Sequence, residues 1–258
     1  MLPAPRRWGK ASLFQGYSDR MTTKVLLVGA AGPLGSAVLE HALGAFHRVQ
    51  VLVDEPVAAA MRGFVPVAMD RLDATHADTA FIVFDRLRHA HGREDAFHRP
   101  QPEVLPALAR RLHEVGVRRL IVVLPHAPAL LPEALKRGLV SLDEHAVAAL
   151  GFEQLLIVRS AQMLPSARSP SRLQRLADGV LAQLRWMVPQ REQPVRPAKV
   201  AALVVQLARL LPQVSAGTRV VPPELVWDYT QAKDGAALLR AWLHGEAIGA
   251  TRVAPMRM

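Results

Sequence analysis

No cysteine occurs among the 258 residues. Disulfides, thiolate metal sites and a cysteine nucleophile are therefore excluded, and the composition suits a reducing cytoplasm. Aromatic residues make up 5% of the chain and include two tyrosines, Tyr17 and Tyr229, so acid or base chemistry at a phenol has two places to reside. No apolar run reaches the roughly 18 residues of a membrane span; Arg209 interrupts the best one, AALVVQLARLL. GxSxG and HExxH are also missing, which removes the common serine-hydrolase and zinc-protease signatures. The first twenty residues have no long apolar core and no clear cleavage pattern, so a loose, disordered extension ahead of Met21 is expected there rather than a signal peptide.

Charge is not scarce, but it is spread out. The formal balance is +10, and a basic surface attracts phosphate without regard to sequence. In the first twenty residues Arg6, Arg7, Lys10 and Arg20 face only Asp19, and the other arginines are scattered through many segments. A solvated surface that favours anionic ligands is expected, with neither a nucleic acid nor a membrane as partner. With 50% apolar and 21% charged residues, the chain has the balance of one globular domain of this length.

The periodicity alternates. KVLLV (24–28), RVQVLV (48–53), VPVAM (65–69), TAFIVF (79–84), RLIVVL (119–124) and QLLIVR (154–159) are short apolar runs of the kind covered on both faces in a parallel sheet. Between them Leu34, Val38, Leu39 and Ala42 recur at helical spacing, as do Leu105, Leu108, Leu112 and Val115 before a stop at Gly116. DRLDATHAD, after VPVAM, is short for a crossover helix. Residues 132–150 predict a helical region broken near Gly138, with Ser141 and Glu144 forming a capping box. Beyond Ser160 the pattern changes to helices over 173–184 and 200–210, a short strand at TRVVPP and a last helix at AALLRAWLHG. The expectation is an α/β Rossmann-type, doubly wound parallel sheet with a small, mostly helical C-terminal lobe. Its divisions are the extension over 1–20, a dinucleotide-binding core over 21–160, and a lobe over 161–258 that roofs the ligand crevice.

The stretch VLLVGAAGPLGSAVLEHAL carries the functional signal. A glycine directly after the strand permits a tight turn, a second lets backbone approach a pyrophosphate, and a third lets helix and strand pack closely. Gly29, Gly32 and Gly35 stand at those places. The helix N-terminus at Pro33 and Leu34 would then face the phosphates, and Pro33 sacrifices little because an N–H in the first turn lacks an intrahelical partner. No Lys-Ser or Lys-Thr follows, so a Walker A loop is excluded. Asp54 comes nineteen residues after Gly35, at the end of strand two. A carboxylate there accepts from ribose hydroxyls and repels a 2′-phosphate, which favours NAD(H) over NADP(H).

With GAAGPLG, VPVAM followed by Asp70, GVRRLIVVLPHAP and GFEQLLIVRSAQML, the chain resembles the short-chain dehydrogenase/reductase superfamily, in particular its atypical and extended, nucleotide-sugar-epimerase-like branches. The resemblance covers residues 23–165 well and the region around QPVRPAKVAALVVQLARLL faintly. It implies a cytoplasmic NAD(P)-dependent oxidoreductase or epimerase acting on a small molecule. It also implies Asp70 near the adenine, Phe84 bordering the cofactor, and helix pairing in a homodimer. Redox members carry a tyrosine and, four residues later, a lysine on the helix after strand five. Aligned through Glu144, this chain has Lys136 and Val140 at those positions. At the serine or threonine position after strand five it offers Pro125 and His126, so His126 is the one catalytic candidate. The missing pair equally suits a non-catalytic, redox-responsive dinucleotide-binding regulator or interaction protein.

His89, His91, Glu94, Asp95 and His98 form a polar loop with metal-ligand residue types, read here as a loop at the mouth of the crevice rather than a metal site. Arg172, Arg175 and Arg185 punctuate an amphipathic stretch expected to pack in the core or across a dimer interface.

Overall fold

The computed structural model of the chain describes residues 24–55, 63–85, 95–126, 141–161 and 195–246. Each apolar run becomes a strand: β1 (Lys24–Val28), β2 (Arg48–Val53), β3 (Phe64–Ala68), β4 (Thr79–Val83), β5 (Arg119–His126), β6 (Gln154–Ala161) and β7 (Gly217–Val221). They pair in parallel throughout, in the order β3-β2-β1-β4-β5-β6-β7. The expected doubly wound Rossmann-type sheet is thus the observed one.

Alternation along each strand sends side chains to two layers. On one face Val25, Leu27, Val51, Phe81, Val123 and Val158 pack with α1 (Gly32–Ala45), α4 (Pro197–Leu210), α5 (Pro223–Gln231) and α6 (Gly235–Leu243). On the other, Leu26, Val28, Leu52, Ile82, Val122 and Ile157 pack with α2 (Leu105–Glu114) and α3 (Leu142–Ala148). Neither layer is wet, which is why the strands read as continuous apolar runs rather than as alternating ones.

Local signals account for the helix ends. Leu105, Leu108, Ala109 and Leu112 form the buried stripe of α2, and Gly116 at φ +91° turns the chain out of it. The Ser141 hydroxyl accepts from the Glu144 N–H at 3.1 Å and caps α3. The short link after β3 is a 3₁₀ helix over Met69–Ala74 in place of a crossover helix. One helix had no counterpart in the sequence reading: the prolines of TRVVPP end β7 and also begin α5, with Pro222 as its N-cap and Pro223 in the first turn. The helices expected over 132–140 and 173–184 lie outside the described residues, as do residues 1–20.

The C-terminal segment completes the sheet as well as following it. α4 packs across α1, and β7 pairs with β6 along Gln154–Val158. The Gln154 side chain ties the connection, donating to the carbonyls of Leu211 and Val214 at 2.6 Å each.

Among the described residues one ion pair is buried. Arg159 of β6 donates to Glu144 of α3 at 2.7 Å, with side-chain exposures of 4% and 6%. Removing one member leaves a buried charge uncompensated. Glu144→Gln is expected to lower the free energy of unfolding by about 3 kcal/mol or more, read as a fall in the guanidinium midpoint without a change in m-value.

Candidate functional site

Three of the expected residues are held by backbone geometry. Gly29 leaves β1 at φ +87°, and a Cβ there would lie 2.1 Å from the Val83 carbonyl oxygen. Gly32 opens α1 at φ +83°. A Cβ on Gly35 would meet the Gly29 carbonyl oxygen at 2.2 Å. Only glycine passes at these distances, so the turn crosses directly over the end of β4.

That crossing occurs where the strand order reverses. β1 lies between β2 and β4, and the gap between the carboxyl ends of β1 and β4 is the topological switch point at which open α/β sheets bind ligands. Gly29, Gly32, Pro33, Leu34 and Gly35 stand at this edge. Asp54, Asp70 and Asp85 follow β2, β3 and β4 on the same edge, so the ends of three strands are acidic. The backbone of His126 closes β5 there, opposite Ala161 of β6. Phe84 is buried in the second layer, 3% exposed, and its N–H continues the ladder to the Val123 carbonyl.

The edge is partly filled by the chain itself. Leu34 N–H, in the first turn of α1, donates to Asp85 Oδ2 at 2.9 Å, a carboxylate at the positive end of the helix dipole. Asp54 is met by His98, whose Nδ1 lies 2.6 Å from Oδ1. The segment carrying His98 is pinned across the end of β2: Asp54 N–H donates to the Ala96 carbonyl, His98 N–H donates to the Leu52 carbonyl, and Val53 and Phe97 form an antiparallel bridge. Phe97 is 4% exposed and packs edge-on against Phe64. Pro100 follows, its Cδ 3.2 Å from the Gly29 Cβ position.

The sequence drew attention to Asp54 but not to the partner it meets. Asp85 and Phe97 carried no signal beyond a polar residue after an apolar strand and an aromatic in a polar loop. Of the metal-type loop, His89, His91 and Glu94 lie outside the described residues; Asp95 pairs with Arg99 at 3.0 Å and His98 with Asp54. Among the described residues no cluster of three metal-ligating side chains occurs, and no helix is long and apolar enough to cross a membrane. Lys136, Arg172, Arg175 and Arg185 also lie outside the described residues. Tyr229 belongs to α5, its ring against Gly235, where a Cβ would come within 2.5 Å of Cε2. Burial pushes its phenol above the ordinary 10.0.

The fit to a dinucleotide is divided. Asp54, whose side chain is 53% exposed, suits the adenosine-ribose end, and the glycines leave backbone room for a close ligand approach. The first turn of α1 does not suit a pyrophosphate while Asp85 is bound there, since Pro33 has no N–H and that of Leu34 is already given to a carboxylate.

No family model and no curated protein matches the chain. Solved structures similar to it include UDP-N-acetylglucosamine 4-epimerase from Bacillus cereus, at 13% identity over 78% of this chain and 79% of that one, with a TM-score of 0.46. The enzyme WbmG of Bordetella bronchiseptica, solved with NAD, is 15% identical over 83% and 80%, with a TM-score of 0.43. BdcA, solved with NADPH, is 11% identical over 80% and 95%, with a TM-score of 0.47.

Two outcomes follow from this geometry. Gly35→Ala forces a methyl into backbone that cannot retreat and is expected to cost about 1–3 kcal/mol of stability. Gly44→Ala, in the same helix with nothing within 4 Å of the new Cβ, should gain about 0.5–1 kcal/mol; thermal unfolding of both variants checks the contrast. The raised Tyr229 value means that its contribution to stability is fully present below pH 10.0 and is lost as pH rises through the folded-state value. Spectrophotometric titration should show one phenol ionising above the ordinary range in the folded protein and returning to it in denaturant.

Proposed function

We propose that this chain is a nicotinamide-dinucleotide-binding protein of the atypical short-chain dehydrogenase/reductase kind, in which NAD(H) acts through conformation rather than hydride transfer. The observation that carries the reading is the glycine turn at the β1/β4 switch point, with Asp54 at the end of the adjacent strand. That arrangement brings close-passing backbone and a carboxylate of the type that accepts from ribose hydroxyls to one edge of the sheet, which supports the reading. Bound there, the cofactor would offer a hydride to an acceptor, and this chain has little with which to manage the accompanying proton. Of its two tyrosines, Tyr17 precedes the sheet and Tyr229 sits on α5 after β7. His126, at the carboxyl end of β5, is the group on which an oxidoreductase or epimerase would have to rely.

Three features support a conformational role. Asp85 already takes the Leu34 N–H and His98 already meets Asp54, so a dinucleotide that uses either group must displace its present partner. Such a ligand shifts the population toward the rearranged state by as much as it prefers that state. Asp54 would accept from the ribose hydroxyls of NAD(H) and meet a 2′-phosphate with like charge. The partner that reads the change could be a second copy or another protein, and the cytoplasm is the compartment that suits a chain without cysteine.

Calorimetric titration with NADH and NADPH tests the reading. NADH is expected to bind at least tenfold more tightly than NADPH, and Asp54→Ala should narrow that ratio. Failure of folded protein to bind either would reduce the glycines to a structural turn.

A further inference from the structure

The misfit at the first turn of α1 has a definite construction. Pro33 removes one N–H from the helix N-terminus, and the next, on Leu34, is given to Asp85 Oδ2 at 2.9 Å. Asp85 is half-buried and comes from the strand next to β1 in the sheet, 51 residues away in sequence. Its place follows from the turn: Gly29 passes 2.1 Å, at its Cβ position, from the carbonyl of Val83, two residues before Asp85. The contact is independent of the segment 95–100, which closes the same crevice from the side of β2 through the Val53–Phe97 bridge and the Asp54–His98 pair.

A carboxylate accepting from the N-terminal N–H groups of a helix takes the electrostatic place of a phosphate. Two such anions cannot share it, because their repulsion is strong where solvent is partly excluded. Resting on the dinucleotide reading of this crevice, we propose that Asp85 is a built-in competitor: a diphosphate ligand binds only by displacing the Asp85 carboxylate from Leu34 N–H. The affinity of this protein for dinucleotides is accordingly set by an autoinhibitory contact and not by the glycine turn alone. Displacement releases Asp85 itself, which couples occupancy to the position of the residue two places beyond β4.

The experiment compares the full chain with Asp85→Asn and Asp85→Ala, each checked for folding by circular dichroism, in titrations with NADH and with inorganic pyrophosphate. Both variants are expected to bind each ligand at least tenfold more tightly than the parent. Asp85→Asn keeps an oxygen for the Leu34 N–H and loses only the charge, so it carries the comparison where Asp85→Ala folds poorly. Unchanged affinity for pyrophosphate, whether measurable or absent in all three proteins, overturns the proposal. Tighter pyrophosphate binding without NADH binding in any of the three would support the Asp85 contact and sink the dinucleotide reading. NADH binding of equal strength in all three would uphold that reading and overturn the role of Asp85.

Discussion

The close passage of the β1–α1 turn over the end of β4 is the constraint from which the rest of the site follows. At 2.1 Å between a Gly29 Cβ position and the Val83 carbonyl oxygen, no side chain can intervene, so the first turn of α1 is delivered against the residues that leave β4. The same approach fixes α1 on the sheet, because Gly35 lies as close to the carbonyl of Gly29. α1 in turn provides the surface on which α4 packs. A single tight turn thus sets the position of α1, against which α4 packs, and of the Leu34 N–H relative to Asp85.

Global and local charge point in opposite directions. The chain carries ten more basic than acidic residues, yet the carboxyl edge of the sheet around the glycine turn bears Asp54, Asp70 and Asp85 at three consecutive strand ends. The fields of exposed arginines are screened over about 10 Å, whereas a carboxylate at the crevice acts at contact, so the formal +10 balance does not describe the local charge at this edge. His98 tempers one of these aspartates by lying 2.6 Å from Asp54, and the α1 N-terminus tempers another.

Much of the fold was legible. Runs such as KVLLV and TAFIVF are apolar on both faces because both faces are covered, and the stripes of α1, α2 and α4 repeat at the helical period because one side of each is buried. Ser141 and Gly116 mark a helix start and a helix stop through local hydrogen bonding and backbone freedom. α5 was not legible: PPELVWDYTQ follows a strand directly, and its two prolines read as strand punctuation although they also begin a helix. The buried pair of Glu144 and Arg159 was likewise hidden, since Glu144 has the spacing of a capping residue and Arg159 stands at the end of the apolar run QLLIVR.

Composition and spacing by themselves determined what is local in this protein: no cysteine for thiol chemistry, parallel-type strands, and a glycine turn fit for close backbone approach. These follow from residue type and from periods of two and 3.6, which need no knowledge of what lies across the sheet. Tertiary structure alone decided what fills the crevice. Asp85 reaches Leu34 from 51 residues away, and His98 reaches Asp54 from 44, through strand order and the path of the chain after β4. Such contacts leave no periodic trace, because each is a meeting of single side chains brought together by the sheet.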